Sequence, residues 1–74
     1  MNDLYLPKEL YPYGAILSAK NAFQQIAHIT MEQTEEIWIC RFKMCNNYPL
    51  DITMMEFENY IIDYINSEKI YANT

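Results

Sequence analysis

The stretch that decides the fold of this chain runs from Ala27 to Cys45 and reads AHITMEQTEEIWICRFKMC. Residues 27–32 alternate apolar and polar side chains, which is typical of a half-buried β-strand. Residues 37–45 are rich in β-branched and aromatic side chains, which favour strands. The residues between them, 33–35, have the length of a hairpin connection. The sequence therefore predicts a β-hairpin here.

The second strand of this hairpin has two chemically different faces. One face carries Trp38, Cys40, Phe42 and Met44. The other face begins with Ile37 and Ile39 and continues with the cations Arg41 and Lys43. Successive side chains of a strand point to opposite sides. We therefore expect the Trp38 face to meet the helices and the Ile37 face to be at least half exposed to water.

A first helix is predicted before the hairpin, over residues 13–25. It follows Pro12, which the first turn of a helix accepts because the N–H that proline lacks has no intrahelical partner there. Apolar side chains then recur at three- and four-residue spacing, as on one buried face of a helix. They are Ile16, Ala19, Phe23 and Ile26, and Leu17 and Ala22 widen the stripe.

A second helix is predicted after the turn at residues 46–49. Thr53-Met54-Met55-Glu56 matches a capping box, in which the Thr hydroxyl and the Glu carboxylate accept from each other's backbone amides. Ile52 and Phe57 have the spacing of the accompanying hydrophobic staple. The helix is expected to run to about Ser67, with residues 70–74 fraying. Its apolar face comprises Met54, Phe57, Tyr60, Ile61, Tyr64 and Ile65.

A short strand at residues 3–6, ended by Pro7, completes the order β-α-β-β-α. This order predicts an α+β fold, a two-layer sandwich in which two helices cover one face of a small three-stranded sheet. The chain is predicted to be a single domain, residues 1–74, with an ordered core of about residues 4–67. Three strands leave two sheet edges that can pair with a peptide or with a second copy.

The charge of the chain is acidic and unevenly distributed. The formal net charge is −5, and the whole excess lies from Glu32 onward. Because nucleic-acid binding needs cations that neutralise phosphates, and no basic patch is present, we expect no direct nucleic-acid binding. The acidic half predicts either a face for a basic partner or a solubilising surface. The longest apolar run, residues 37–40, is too short to span a membrane.

Residue types that commonly carry catalysis are few and scattered. His28 is the single histidine, and no nucleophile motif accompanies it. Together with Cys40 and Cys45 it lacks the spacing of a zinc site. Glu58 and Asp63 are five residues apart and so lie on different sides of the second helix. We therefore expect no enzymatic activity, no catalytic residues, no cofactor and no metal, and a cytoplasmic protein with reduced thiols.

Two stretches carry a family resemblance. YPYGAILSA at residues 11–19, followed by Ala22 and Phe23, combines a Tyr-Pro helix start with an Ala-rich helix that ends in an aromatic residue. EFENYIID at residues 56–63 is an acidic, aromatic helix segment. With the strand pair between them, these stretches resemble the HxsD-like accessory proteins of His-Xaa-Ser peptide-maturation systems, over about residues 4–65. The chain departs from that pattern by lacking an Arg after Phe23 and at Asn66.

The resemblance implies a small protein encoded with radical-SAM enzymes that modify ribosomally made peptides. Such a protein binds the precursor peptide, the enzyme or both, and no catalytic residue is carried over. Strand addition at a free sheet edge is the expected binding mode. The candidate partner-binding residues are Ile37, Ile39, Arg41, Phe57, Tyr60 and Tyr64. The alternatives are a small acidic inhibitor of the anti-CRISPR type, which mimics nucleic acid, and an architectural homodimer.

Overall fold

The computed structural model describes the backbone of residues 2–72 and the side chains of residues 2–67. Five elements follow one another in the predicted order: β1 (Asp3–Pro7), α1 (Tyr13–Ala22), β2 (Ala27–Gln33), β3 (Ile37–Met44) and α2 (Leu50–Ala72). The strands form one open antiparallel sheet, and the helices pack on one side of it. The predicted α+β sandwich is confirmed.

The central strand of the sheet is β3, because the strand order is β1-β3-β2. Both neighbours run antiparallel to it, with Tyr5 opposite Ile39 and Thr30 opposite Arg41. The strands β1 and β2 are consequently the two edges. The side chains of β3 therefore cannot lie at an edge, and they project above or below the middle of the sheet.

The prediction of two unlike faces on β3 is confirmed. Cys40 and Phe42 are 0% and 1% exposed on the side that meets the helices. On the other side Ile37 and Ile39 are half-buried, and Arg41 is exposed. The period of two in a strand accounts for both observations at once.

An aromatic contact between α2 and the sheet forms the centre of the core. The ring of Phe57 lies 5.0 Å from that of Phe42 and 5.4 Å from that of Phe23, in both cases edge to face. This is the favoured geometry for aromatic pairs. The contacts join α2, β3 and the end of α1. The buried apolar residues around them are Leu6, Ala15, Ile16, Ala19, Ala27, Ile29, Cys40 and Ile61.

The helix α1 is shorter than the periodicity predicts, since it ends at Ala22. Phe23 begins a turn in which its carbonyl oxygen accepts hydrogen bonds from the N–H groups of Ile26 (2.9 Å) and Ala27 (3.0 Å). The turn keeps the Phe23 ring in the core while Ala27, which is 1% exposed, enters the sheet. Because β2 begins at Ala27, the chain leaves the helix at Ala22, although apolar residues at helical spacing continue to Ile26.

The prediction of a capping box at Thr53 is wrong, because α2 already begins at Leu50. Thr53 is buried within the first turns, where its N–H and its hydroxyl both donate to the Pro49 carbonyl oxygen, at 3.1 and 2.8 Å. Thr53, Phe57 and Ile61 are spaced four residues apart and are 5% exposed or less. The buried stripe of the helix thus extends upstream to include Thr53.

The prediction of a hydrophobic staple between Ile52 and Phe57 is also wrong. Ile52 is 45% exposed, while Phe57 lies in the core. At its other end the helix runs beyond the predicted Ser67 to Ala72. Residues 73 and 74 of the segment predicted to fray lie outside the described residues.

The observed helix start at Leu50 and the predicted capping box at Thr53 imply different effects of mutations on the free energy of unfolding. Replacing Thr53→Val removes a buried hydrogen-bond donor and should lower the free energy of unfolding by about 0.5–1.5 kcal/mol. Glu56→Ala should change it by less than about 0.5 kcal/mol, because Glu56 is an exposed side chain past the first turn. Urea denaturation measures both. A capping box would instead make the Glu56→Ala loss comparable to that of Thr53→Val.

Candidate partner-binding surface

The structure does not bring the predicted partner-binding residues together on one surface. Ile37, Ile39 and Arg41 lie on the side of the sheet away from the helices. Phe57 is 0% exposed, and its ring is enclosed by the aromatic core. The inclusion of Phe57 in a contact surface is therefore corrected: its ring serves packing between α2 and the sheet.

The remaining two predicted residues belong to the helix layer. Tyr60 is 37% exposed, and its ring lies 6.0 Å from that of Phe23. Tyr64 is half-buried and packs against the core. Because α2 covers the opposite side of the sheet from Ile37 and Ile39, one small ligand cannot contact both groups. Two separate candidate surfaces result, one on the sheet and one on the helix layer.

The first surface is the uncovered side of the sheet, which we call the open face. Its middle is apolar: Tyr5 lies directly opposite Ile39 on β3, and Pro7 lies opposite Ile37. Tyr5 is 57% exposed, whereas the two isoleucines are half-buried beside it. We call Tyr5, Ile37 and Ile39 the apolar centre. Its margin is polar and consists of Asp3, His28, Thr30, Glu32, Arg41 and Lys43.

Sequence reasoning missed Tyr5 as a member of this surface. The alternation of Leu4, Tyr5 and Leu6 indicates that Tyr5 points away from the core, since Leu6 is 1% exposed. That alternation was visible in the sequence, but the neighbour of β1 was not. Only the strand order places Tyr5 beside Ile39.

An ion-pair row crosses the open face and links all three strands. The Arg41 guanidinium donates to the Asp3 carboxylate from Nε at 2.9 Å and from Nη2 at 3.3 Å, and its Nη1 lies 3.7 Å from Glu32 Oε1. The hydrogen bond from Arg41 lowers the pKa of Asp3 below its usual value, and the same contact raises the pKa of Arg41. Arg41 thus has two carboxylate neighbours within the sheet, and its role in contacting a partner stays a prediction.

A shallow depression of about 390 Å³ adjoins the apolar centre near the hairpin turn. Its lining includes Pro7 and Ile37 from the sheet together with Lys8, Glu9, Glu35 and Glu36. The Lys8 ammonium donates to Gln33 Oε1 at 2.6 Å and lies 4.5 Å from the centre of the Trp38 ring. The depression therefore combines the apolar side chains of Pro7 and Ile37 with three carboxylates and one cation that has other partners.

Trp38 serves to hold the connection between β1 and α1. Its indole Nε1–H donates to the Tyr11 carbonyl oxygen at 2.9 Å, and its ring lies 5.3 Å from that of Tyr13. The indole N–H is therefore satisfied within the protein. The half-buried ring is a structural contact for the loop and leaves no free donor for a ligand.

The second surface lies between the loop after β1 and the helix α2. A groove of about 200 Å³ there is lined by Leu10, Tyr11, Ile62, Ile65 and Asn66, so the predicted Tyr60 and Tyr64 are not among its lining residues. The Tyr11 hydroxyl donates to Glu58 Oε2 at 3.1 Å, and burial together with this acceptor raises the pKa of Tyr11. The hydrogen bond fixes the loop on the helix, so the groove is held in shape by a side-chain contact.

The groups considered for catalysis lie on different sides of the sheet. Cys40 is 0% exposed in the core, where burial raises the pKa of its thiol to about 11. His28 points to the open face, because its neighbour Ile29 is buried on the other side. Cys45 is an exposed free thiol just beyond β3. Among residues 2–67, no three His, Cys, Asp or Glu side chains are grouped so that they could hold a metal ion.

The fold and this surface define a small two-layer α+β domain with one sheet face uncovered and an apolar centre upon it. Within the described part of the chain, neither helix has the length and apolar character that crossing a membrane requires. Comparisons with protein families, curated proteins and solved structures found no match to this chain.

The ion-pair row predicts a change in the titration of Asp3. In the Arg41→Gln variant the Asp3 carboxyl loses its hydrogen-bond donor, so its pKa should rise toward the ordinary value of 3.8. The lowered pKa stabilises the folded state above that ordinary value, and this contribution is lost as the pH falls through the pKa of the folded protein. Carboxyl ¹³C shifts followed by NMR measure the change.

The matched control is Lys43→Gln, which removes a cation from the same strand and the same face. Arg41, and not Lys43, is the hydrogen-bond partner of Asp3. The control should leave the Asp3 titration unchanged, and equal shifts in both variants would contradict the specific contact.

The two thiols should differ in reactivity. At pH 8 iodoacetamide should modify Cys45 in the folded protein and Cys40 only after unfolding, because the reactive thiolate is scarce when the thiol is buried and its pKa is raised. Mass spectrometry counts the added groups. Rapid modification of both thiols without denaturant would show that the core opens readily.

The same raised pKa affects stability at alkaline pH. Its stabilising contribution is complete below the ordinary thiol value of 9.0 and is lost as the pH rises toward about 11. Over that window the wild type should therefore lose more stability than a Cys40→Ala variant does.

Proposed function

We propose that this protein is a non-catalytic binding module that holds a segment of a partner protein or peptide on the apolar centre of its open face. The observation that carries the proposal is the exposed Tyr5 ring beside the half-buried Ile37 and Ile39, on the side of the sheet opposite the helices. Aromatic anchors next to aliphatic side chains, inside a polar margin, are typical of protein-binding surfaces.

The charges around the apolar centre indicate the chemistry of the partner. Arg41 is paired with Asp3, whereas Glu9, Glu35 and Glu36 line the neighbouring depression. A partner segment with apolar side chains followed by a lysine or arginine therefore complements this surface. An extended segment suits it best, because the apolar centre and the depression succeed one another along the sheet at Pro7 and Ile37.

The resemblance to HxsD-like proteins supports the same class of function. A precursor peptide, or the radical-SAM enzyme that modifies it, is the partner that this resemblance implies. We place the protein in the cytoplasm, and its two free thiols accord with a reducing compartment. The sequence predicted that a peptide strand adds to a free sheet edge. Because Ile37 and Ile39 belong to the central strand, we propose instead that they contact a ligand that lies on the open face.

The absence of catalysis is part of this proposal. The thiol of Cys40 and the imidazole of His28 lie on opposite sides of the sheet, so neither can activate the other. The raised pKa of Cys40 also keeps the thiol protonated near neutral pH.

Mimicry of nucleic acid finds less support in the placement of the acids. Glu32 lies near Arg41, and Glu58 accepts a hydrogen bond from Tyr11. Asp51 and Glu56 are on α2, in the other layer from Glu35 and Glu36. The carboxylates therefore do not form one row with the regular spacing of phosphates.

The proposal predicts which side chains a selected peptide will need. Peptides chosen from a displayed library against the full chain should bind a Tyr5→Thr/Ile39→Thr variant about 30-fold more weakly or worse, as for loss of an interface anchor. Threonine keeps the preference for strands, so the sheet is retained. Calorimetry measures the affinity, and amide shifts in β1 and β3 locate the site.

The control is Tyr60→Gln, which alters an exposed ring in the helix layer and should leave the affinity unchanged. If Tyr60→Gln abolishes binding and the open-face variant does not, the site lies in the helix layer near Tyr60 and the proposal fails. Binding that weakens steeply with salt while tolerating the open-face variant would instead favour the acidic mimic.

A further inference from the structure

The edge strand β2 presents unpaired backbone groups to solvent. The hydrogen bonds from Thr34 N–H to Ile37 O (2.9 Å) and from Cys45 N–H to Ile26 O (3.0 Å) flank the ladder between β2 and β3. In an antiparallel ladder, hydrogen-bonded positions alternate. The even-numbered residues of β2 therefore bond to β3, and the backbone N–H and C=O groups of Ile29, Met31 and Gln33 point outward.

The two edges of the sheet differ in how they are protected. On β1 the outward-facing Pro7 has no N–H, and its carbonyl oxygen accepts from Leu10 and Tyr11. Proline on an edge strand discourages pairing with another chain. By contrast, β2 contains no proline, glycine or lysine, and its pairing with β3 runs without a bulge from Ala27 to Gln33. An edge of this length and regularity is a template for another strand.

We propose that β2 pairs antiparallel with β2 of a second copy of this chain, with the twofold axis passing at Thr30. In this register Ile29 lies opposite Met31 of the second copy, so that their outward N–H and C=O groups bond to each other. Ala27 lies opposite Gln33 of the second copy, and the free Ala27 carbonyl oxygen accepts the Gln33 N–H. The outward groups gain a partner except for two: the Ala27 N–H, which already donates to Phe23, and the Gln33 carbonyl oxygen that faces it.

The side chains of β2 are complementary to themselves in this register. On the helix side, apolar Ile29 meets apolar Met31. On the open face, Thr30 meets Thr30, and the His28 imidazole meets the Glu32 carboxylate of the second copy. Cross-strand Thr pairs and pairs of a donor with a carboxylate are favourable. Centring the pairing on Glu32 would oppose two carboxylates, and centring it on Met31 would oppose Ile29 to the polar Gln33.

The helix α1 provides an independent indication of the same contact. Tyr13 lines a shallow depression with Met31 and Gln33, and Phe23 O accepts from Ala27 N–H, so α1 runs along β2. Leu17 lies one turn after Tyr13 on the same side of the helix and is 37% exposed. A twofold axis perpendicular to the sheet keeps both helix layers on one side. It therefore brings the two α1 helices next to each other and shields Leu17.

The pairing would join two three-stranded sheets into one continuous sheet with a single open face. The apolar centre takes no part in the pairing, so two copies of it would lie on the same side of the assembly. An experiment that disproves the proposed self-association therefore leaves the proposed partner binding untouched, and the reverse also holds.

Disulfide cross-linking tests the register. In a full-length Cys45→Ser background, Thr30→Cys places two thiols across the axis, where the Cα atoms of facing residues are about 4.5 Å apart and a disulfide can form. In the matched His28→Cys variant the two thiols are roughly 13 Å apart, since they are offset by four residues along the strand. Mild oxidation should cross-link the first variant and not the second. Equal cross-linking of both, or of neither, overturns the register.

Sedimentation velocity over a concentration series tests the association itself. Thr30→Glu and His28→Glu each place carboxylates against each other across the axis, while facing Arg41 or Lys43 within the chain. Each should raise the dimer dissociation constant about 10-fold or more without weakening the fold. Tyr5→Glu adds the same charge at the β1 edge and should leave the dimer intact while removing partner binding.

Three results would overturn the proposal. The wild type could sediment as a monomer at its highest soluble concentration. Its dimer could be unaffected by both β2 variants. A selected peptide could protect the amides of Ile29 and Met31 from hydrogen exchange in a monomer, which would assign the β2 edge to a peptide strand.

Discussion

The packing of Phe57 on Phe42 is the contact on which the rest of the structure depends. It places α2 on one side of β3 and thereby determines which side of the central strand is buried. Because side chains alternate along a strand, burying Phe42 and Cys40 directs Ile37, Ile39 and Arg41 to the other side. The open face is thus a geometric consequence of the core.

A chain of this size has enough helix to cover only one side of its sheet. The second side stays in contact with water, although Tyr5, Ile37 and Ile39 are apolar. Domains of this length bury a smaller share of their surface on folding than larger domains do, so their stability margin is narrow. In a domain with so little stability to spare, an exposed apolar patch is better explained as a contact surface than as an incidental feature. The unprotected β2 edge, in contrast to the protected β1 edge on the other side of the sheet, supports the same interpretation.

Much of the fold could be predicted because the signals are local. The alternation in β3, the Pro7 that ends β1 and the Pro12 that precedes α1 each act within a few residues. The errors arose where a distant contact outweighed a local pattern. Thr53 and Glu56 have the spacing of a capping box, but the four-residue stripe of Thr53, Phe57 and Ile61 draws Thr53 into the helix. Likewise, Phe23 ends α1 early because Ala27 must enter the sheet.

The candidate site was less predictable than the fold. Its residues come from β1, β2 and β3, and their neighbours depend on a strand order that periodicity does not contain. Phe57 and Tyr60 share a helical stripe with similar chemistry, yet one is enclosed and the other is partly exposed. The burial of each side chain in such a stripe depends on which other residues pack against it.

By itself the sequence determined the kind and order of the elements, the inward side of β3 and the lack of a basic patch, because these follow from residue spacing and charge. Only the tertiary structure decided that β3 is central, that β1 and β2 are the edges, that Tyr5 lies beside Ile39 and that Arg41 pairs with Asp3. The physical reason is that pairing between strands depends on groups far apart in the chain. Their proximity is chosen by the packing of the whole domain.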